Sequence, residues 1–219
     1  MRYSNQIQVD HIGNEGQKKI SDSHILVVGL GGLGSIALQY LVGAGFGTIS
    51  ICDHDTLELK NLHRQTIYRE DQVGTSKALA AYQSMQGLNQ DITIQPYAFA
   101  ITEDLIPENV TQIVDCTDNK ETKLWLDSVC NKRKIPLVSA GVGVFNAQIY
   151  NVMPGQTTRL PDVIGKAVNP TSHIVVGPVC GIVGSTQALI AIANAVGILL
   201  PYNMLNINAL SFDIQRLTI

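Results

Sequence analysis

Short runs of apolar residues alternate with segments of helical pattern along most of the chain. The runs that predict strands cover 24–29, 48–53, 91–99, 112–117, 136–141 and 145–153. The segments between them that predict helices cover 33–45, 75–87 and 119–134. Apolar runs of about four to eight residues, bounded by turn residues, are typical of strands buried on both faces of a sheet. This order predicts an α/β fold, a Rossmann-like, doubly wound and mostly parallel sheet with a ligand crevice at the carboxyl ends of its strands.

The two ends of the chain add further elements to this sheet. Residues 4–20 predict an N-terminal helix, and 154–177, rich in Pro and Gly, predict a long crossover loop of the kind that is usually functional. Residues 181–200 predict an apolar helix, whose small residues favour close packing against the sheet or another subunit. The last two stretches, "MLNINAL" and "FDIQRLTI", predict strands that extend the sheet in antiparallel fashion. Without repeats or low-complexity linkers, residues 1–219 are predicted to form a single domain.

The composition narrows the class of protein. The 219 residues are 45 % hydrophobic and 15 % charged, as in a globular protein with a substantial core. A net charge of −3 gives no general electrostatic attraction to nucleic acid or to an anionic membrane. There is no uninterrupted apolar run of about 18 residues, and the N-terminal stretch lacks the apolar core of a secretory signal. We therefore expect a cytoplasmic protein that binds neither nucleic acid nor membrane.

The cysteines give no sign of a metal site. Cys52, Cys116, Cys130 and Cys180 form no CxxC pair, and no histidine lies at ligand spacing from them. Cys52 and Cys116 fall within apolar strand-like runs, where a cysteine usually acts as a small buried hydrophobe. Neither structural zinc nor a disulfide framework is expected.

A glycine-rich turn connects the first predicted strand to the first helix after it. Gly29, Gly31 and Gly34 form a G-x-G-x-x-G pattern that allows a tight turn and lets backbone N–H groups approach phosphate at a helix N-terminus. Gly32 removes further bulk at the same place. Asp53 ends the next predicted strand, where a carboxylate can accept hydrogen bonds from both ribose hydroxyls. The alternative is a turn that only packs helix on strand, but the strand, the helix and Asp53 in register favour a nucleotide site.

The residues that follow the second predicted strand distinguish ATP from a dinucleotide. The phosphate loop largely neutralises the two phosphates of a nicotinamide cofactor, whereas cleavage of ATP at its α-phosphate calls for fixed cations and a metal ligand. Asn61 and Arg64 in "KNLHRQ" and Lys77 in "VGTSK" are phosphate donors. Asp118 and Asn119 in "DCTDN" follow a strand end, where a carboxylate can hold Mg²⁺. Taken singly, each is also explained as a surface charge or a helix cap, and Asp118 alone would be the N-cap of a helix from Asn119.

Four motifs together carry a family resemblance. "GLGGLGS", "DHDTLELKNLHRQ", "VGTSK" and "DCTDN", in that order and spacing, resemble the ThiF/MoeB/HesA family, the bacterial relatives of ubiquitin-activating enzymes. The similarity runs from "RYSNQI" at residue 2 to the last strand. It implies an adenylyltransferase that uses Mg·ATP to activate a C-terminal carboxylate, commonly the Gly-Gly tail of a small ubiquitin-like sulfur carrier, and releases pyrophosphate.

The resemblance also implies a role for each motif residue. The glycine loop, Gly32 included, would contact phosphate, Asp53 would hold the ribose, and Asp118 would hold Mg²⁺ beside Asn119. Asn61, Arg64 and Lys77 would bind the phosphates. Arg64, Lys77 and Asp118 would be the catalytic residues. A peptide carboxylate is ionised near neutral pH, so no general base is needed.

Three departures from the family pattern stand out. The opening "RYxRQ", whose arginine reaches the ATP of the partner subunit, reads "RYSNQ" here, with Asn5 in that place. The two zinc-binding CxxC pairs of many relatives are absent, and so is a cysteine within 154–177. The nearest one, Cys180, precedes a predicted helix that would lower its pKa, but a small apolar residue packed under the loop is the favoured interpretation. We therefore predict no thioester or persulfide step on this chain.

Several functions remain open on these residues. The first is an adenylyltransferase that passes its acyl-adenylate to another protein, as a homodimer. The second is the ATP-binding half of a heterodimer, in which a related subunit supplies the missing arginine. A non-catalytic nucleotide-binding relative is the third. A nicotinamide oxidoreductase, the fourth, leaves Arg64, Lys77 and Asp118 unexplained. The small side chains at 140–144 predict a low floor for a slender Gly-Gly tail.

Overall fold

The computed structural model describes residues 2–164 and 174–219, which form one mixed sheet with the strand order β3-β2-β1-β4-β5-β6-β7-β8. The first five strands of the chain pair in parallel, and the last three are antiparallel to their neighbours. The predicted doubly wound sheet with an antiparallel C-terminal extension is therefore confirmed. The strands are β1 (His24–Val28), β2 (Thr48–Cys52), β3 (Thr93–Tyr97), β4 (Gln112–Asp115), β5 (Leu137–Gly143), β6 (Asn146–Val152), β7 (Met204–Asn208) and β8 (Asp213–Leu217).

Helices connect the parallel strands and cover the sheet. The helix α5 begins at an N-cap, Asn119, whose side chain accepts a hydrogen bond from the N–H of Thr122, and such caps stabilise a helix by about 1 kcal/mol. The described helices are α1 (Ser4–Ile7), α2 (Gly13–Asp22), α3 (Gly32–Ala44), α4 (Lys77–Gln86), α5 (Lys120–Arg133), α6 (Leu160–Ile164) and α7 (Gly177–Val196).

The first strand is buried on both faces, as its continuous apolar run predicts. Side chains alternate along a strand, so Ile25 and Val27 pack in a core with α3 and α7, while Leu26 and Val28 pack in a second core with α5. Each of these four side chains is almost completely buried, and full burial of such a residue contributes about 1.5–3 kcal/mol. The middle of the sheet is thus held rigidly, and its carboxyl edge is a fixed platform.

Helices α3 and α7 are packed so closely that glycines are required at two points of contact between them. A Cβ on Gly184 of α7 would lie 2.5 Å from the carbonyl oxygen of Leu33, and a Cβ on Gly32 of α3 would lie 2.6 Å from the Sγ of Cys180. The small residues of α7 therefore serve close packing within the chain, against α3 as well as the sheet.

The helix α7 is long and apolar enough to cross a membrane by length and composition, with 56 % of its most apolar window buried inside the fold. It contains no uninterrupted apolar run of about 18 residues, because uncharged polar residues interrupt it. One of them, Gln187, is completely buried and donates its amide N–H to the carbonyl of Asp115 at 2.9 Å. This bonding ties α7 to β4 as a helix of the core.

Two predicted boundaries differ from the structure. Instead of one helix over 4–20 there are two, α1 and α2, because the chain turns after Gln8 and Gly13 adopts φ +57°, outside the helical region. Helix α7 begins at Gly177 rather than 181, since Pro178 in the first helical turn needs no N–H partner there. The predicted crossover loop 154–177 contains α6, and its residues 165–173 lie outside the described part of the chain.

Candidate functional site

A cavity of about 480 Å³ opens at the carboxyl edge of the sheet, beyond the ends of β1, β2, β4 and β5. Nine of the ten predicted site residues line it. They come from four separate segments of the chain: Gly29, Gly31, Gly32, Asp53, Asn61, Arg64, Lys77, Asp118 and Asn119. The tenth, Gly34, is not among the lining residues, so its predicted phosphate contact has no counterpart in the cavity wall.

The glycines of the loop are required by the path of the backbone. Gly29 has φ +85° and its N–H bonds the carbonyl of Cys52 at 2.8 Å. A Cβ on Gly34 would lie 1.8 Å from the carbonyl oxygen of Gly29, which explains why Gly34 packs beneath the loop instead of facing the cavity. Gly31 is the N-cap of α3, and the first N–H groups of that helix lack helical partners, which leaves them able to bind an anion.

Asp53 ties the glycine loop to the end of β2. Its Oδ2 accepts a hydrogen bond from the N–H of Leu30 at 2.6 Å, and its Oδ1 accepts one from the N–H of Asp55 at 2.8 Å. Burial raises the pKa of the Asp53 carboxyl above its ordinary value, and the two backbone N–H bonds oppose that rise. Each carboxylate oxygen keeps a second lone pair, so both can still accept from a ribose hydroxyl.

Lys77, the first residue of α4, is buried beside the cavity. Its side chain is 8 % exposed, and its Nζ forms an ion pair with the Oδ2 of Asp55 at 2.7 Å. That hydrogen bond from Lys77 holds the pKa of the Asp55 carboxyl below its ordinary value. A phosphate bound by Lys77 would therefore share its ammonium group with Asp55. The sequence analysis did not predict this ion pair.

Arg64 and Asn61 lie in the segment after β2. Arg64 is half-buried, and its Nη1 contacts the carbonyl of Lys60 at 3.3 Å and the Nε2 of His63 at 2.8 Å. Asn61 is buried, and its Oδ1 accepts from the N–H of Glu58 at 2.9 Å, which leaves its amide N–H as a donor. Together they add a planar cation and a neutral donor to the same wall.

Asp118 and Asn119 follow the carboxyl end of β4 and also line the cavity. Both are exposed. Asn119, not Asp118, caps α5, because the Asn119 backbone is extended and its Oδ1 reaches the N–H of Thr122. The alternative interpretation of Asp118 as the N-cap is therefore wrong, and Asn119 keeps its amide N–H groups and one lone pair of its Oδ1 for a ligand.

Three consecutive residues after β2 form a second group of candidate metal ligands. Asp53, His54 and Asp55 bring ligand atoms within 4.8 Å of one another. The set does not include Asp118, the predicted metal ligand. The ammonium of Lys77 already neutralises Asp55, so a divalent cation would meet a competing positive charge there.

A buried network beneath the cavity was not predicted. Lys123 donates from Nζ to the Oδ2 of Asp115 at 3.0 Å and to the carbonyl of Ala140 at 2.6 Å, and Ser139 donates to the same Oδ2 at 2.5 Å. Lys123 also lines the cavity. These bonds fix α5 and the ends of β4 and β5 relative to one another. No motif marks Lys123, since its partners are 8 and 17 residues away in sequence.

Cys180 is the fourth residue of α7 and is buried against Gly32. Burial raises the pKa of the Cys180 thiol, and the nearby Arg64 only opposes that shift. A thiol with a raised pKa is a poor nucleophile, which favours the interpretation of Cys180 as a packed apolar residue. The space that Gly32 leaves open is occupied by this sulfur.

Comparison with known proteins places this geometry in a family. The profile described as "ThiF family" matches residues 3–219. The sulfur carrier protein ThiS adenylyltransferase of Escherichia coli is 35 % identical over 209 residues, covering 92 % of this chain and 83 % of that protein. The adenylyltransferase and sulfurtransferase MOCS3 of Xenopus laevis is 34 % identical over 216 residues, covering 93 % of this chain and 47 % of that protein, so the chain spans about half of its length. A crystal structure of Escherichia coli MccB with ATP shares the fold, with a TM-score of 0.85, 22 % identity, and coverage of 99 % of this chain and 71 % of that one.

Proposed function

The chain belongs to the ThiF family, and on that basis we propose that it is an ATP-dependent adenylyltransferase that activates the C-terminal carboxylate of a small ubiquitin-like sulfur carrier with a Gly-Gly tail. Of the two relatives named adenylyltransferase above, one matches this chain over 83 % of its own length. The other is a longer protein that matches it over 47 %. We place the activity in the cytoplasm, in a homodimer or in a heterodimer with a related subunit. The observation that carries the proposal is the convergence of the glycine loop, Asp53, Arg64, Lys77 and Asp118 on one cavity.

The proposed reaction is displacement at the α-phosphorus of ATP. A carboxylate oxygen of the carrier forms a bond to that phosphorus, the bond to the bridging oxygen breaks, and pyrophosphate leaves with its electron pair. Arg64 and Lys77 would neutralise the charge that develops, and the N-terminus of α3 would hold the phosphate chain. The attacking carboxylate needs no base, so the protein contributes position and charge.

Asp118 is the residue we propose as the ligand of Mg²⁺. Asp118 lines the same cavity as the phosphate donors, and a hard carboxylate oxygen there suits an ion that keeps most of its shell as water and phosphate. The set of Asp53, His54 and Asp55 fits less well, because it offers a nitrogen and a carboxylate already paired with Lys77. When bound, Mg²⁺ would supply charge neutralisation to the phosphates.

Exchange of labelled pyrophosphate into ATP tests the proposal. We expect exchange only when a small carrier with an intact Gly-Gly tail is added to the protein. ATP binding without exchange, with every such carrier of the host, would instead identify a non-catalytic nucleotide-binding relative.

A second candidate function is supported by the N-terminus. Asn5 stands at the position of the family arginine, and Arg2 is held by Asp91 at 3.1 Å and by the carbonyl of Leu88 at 2.9 Å. Both partners lie in the segment after α4 of the same chain, so Arg2 is engaged there and does not take the place of the arginine that would reach a partner's ATP. An ATP-binding half of a heterodimer would show exchange only after a related subunit with the arginine is added.

Substitution of Gly141 with leucine tests the proposed floor for the carrier tail. Gly141 lines the cavity on β5, with no atom within 4 Å of the position of an added Cβ. We expect KM for the carrier to rise at least about tenfold, because leucine fills the path of the tail, while ATP affinity stays within about twofold. Gly87→Leu, at the C-terminal end of α4, also has open space around the added Cβ and does not line the cavity, so as the control it should leave both values near wild type. An equal loss of ATP affinity in Gly141→Leu would place this residue under the nucleotide.

The pH dependence of ribose recognition tests Asp53. Since the pKa of this carboxyl is raised, it takes up a proton at a higher pH than an ordinary aspartate and then loses acceptor capacity. The preference for ATP over 2′,3′-dideoxy-ATP should be greatest above the raised pKa of Asp53 and should fall as pH drops through it. Calorimetric affinities of the two nucleotides, taken as a ratio at each pH, cancel the titration of the phosphates. A ratio that stays constant down to the ordinary aspartate range would contradict this role for Asp53.

A further inference from the structure

Gln65 carries a buried amide that forms no hydrogen bond with the described residues. The residue is 1 % exposed, and its Oε1 lacks any partner. Only its backbone is bonded, from its N–H to the carbonyl of Asn61 and from the N–H of Tyr68 to its own carbonyl. A buried amide without partners opposes folding, and an apolar side chain of the same length would avoid that cost. The amide therefore calls for an explanation outside the fold itself.

The position of Gln65 at the cavity explains its unpaired amide. The residue lines the cavity, and its Nε2 lies 3.6 Å from the place of a Cβ on Gly31, the N-cap of α3. The unpaired N–H groups of the first turn of α3 and the guanidinium of Arg64 make this wall positive. A ligand group that approaches here is an oxyanion, which accepts hydrogen bonds and cannot donate them. The end of the amide that meets it is then the donor, Nε2.

We propose that Gln65 is a further nucleotide-binding residue, which donates its amide N–H to a phosphate oxygen beside Gly31. This assignment rests on the proposed function, since it takes ATP as the ligand. Gln65 extends the phosphate loop with a side-chain donor, next to the backbone N–H groups at the start of α3. Its unpaired Oε1 is the cost of holding that donor in place.

Gln65→Met, which keeps the length of the side chain and removes its polar atoms, provides the test. Calorimetry should show ATP binding weakened by about tenfold or more, as expected for a lost hydrogen bond to a charged group, with adenosine affinity within about twofold of wild type. The melting temperature of the nucleotide-free variant should equal or exceed that of wild type, because an unpaired buried group is gone.

Gln72→Met is the matched control. Gln72 is buried to a similar degree but does not line the cavity, and its Oε1 accepts from the N–H of Arg69 at 2.9 Å. This variant should melt at a lower temperature and bind ATP as wild type does.

The outcomes of these measurements distinguish the phosphate contact of Gln65 from a structural role and from failure of the proposed function. Unchanged ATP affinity in Gln65→Met, or an equal loss for ATP and adenosine, would overturn the phosphate contact while the proposed function stands. A lower melting temperature with unchanged affinity would assign Gln65 a structural role. If wild type itself fails to bind ATP, the proposed function and this contact both fall.

Discussion

Replacing Lys77 with methionine is expected to slow carrier-dependent exchange of pyrophosphate into ATP by about 10²–10³-fold, the usual effect of removing one fixed donor from a developing charge. The ammonium of Lys77 is buried at the cavity wall, where a charge acts more strongly than in water. Methionine keeps the packing of the side chain. Asp55, left without its partner, is half-exposed and remains solvated, so the fold should tolerate the change. The rate constant should fall more than the affinity for ATP.

Lys132→Met is the control for Lys77. Lys132 also forms an ion pair, with the Oε1 of Glu103 at 2.8 Å, but its side chain is 72 % exposed and does not line the cavity. Exchange should be unchanged, because exposed ion pairs contribute little. Exchange by Lys77→Met within about threefold of wild type would remove Lys77 from the proposed mechanism.

Replacing Gly34 with alanine is expected to cost about 3 kcal/mol or more in the free energy of unfolding. The added Cβ would lie 1.8 Å from the carbonyl oxygen of Gly29 and 3.3 Å from the Cβ of Cys116. The closest atom belongs to the backbone of the tight turn, so no side-chain rotation can relieve the overlap. Urea unfolding, monitored by circular dichroism, measures the change.

Gly43→Ala, on the same helix α3, is the matched control. No atom lies within 4 Å of its added Cβ, so alanine should stabilise the helix by about 0.5–1 kcal/mol. Equal unfolding midpoints for the two variants would show that the close approach of Gly34 to Gly29 does not limit the fold.

The sequence predicted the fold well where the signal is local. The apolar run at β1 is buried on both faces, as its composition indicates, and the order of strands and helices follows from such runs. The start of α7 was predicted too far along the chain, because a Gly-Pro pair is typical of a loop, whereas Pro178 lies in the first turn of α7. The break between α1 and α2 depends on the positive φ of Gly13, which the helical pattern over 4–20 does not reveal.

The residues of the candidate site that belong to sequence motifs were predicted, and the others were not. Asp53, Arg64 and Lys77 follow strand ends or open helices at recognisable spacings, and all line the cavity. Asp55 and Lys123 were missed because their importance depends on partners that only folding brings near. The spacing that marked Gly34 as a phosphate residue does not separate a glycine that faces a ligand from one that packs under a turn.

Helices α3 and α7 cannot move independently at their crossing. Gly184 meets the carbonyl of Leu33, and the sulfur of Cys180 meets Gly32, so neither helix has free space on that side. Tightly packed interiors transmit small displacements instead of absorbing them. A shift of the glycine loop upon phosphate binding would thus reach the first turn of α7, where a Cβ on Gly177 would lie 2.6 Å from the carbonyl oxygen of His63. Through this contact the displacement would return to the segment that carries Arg64.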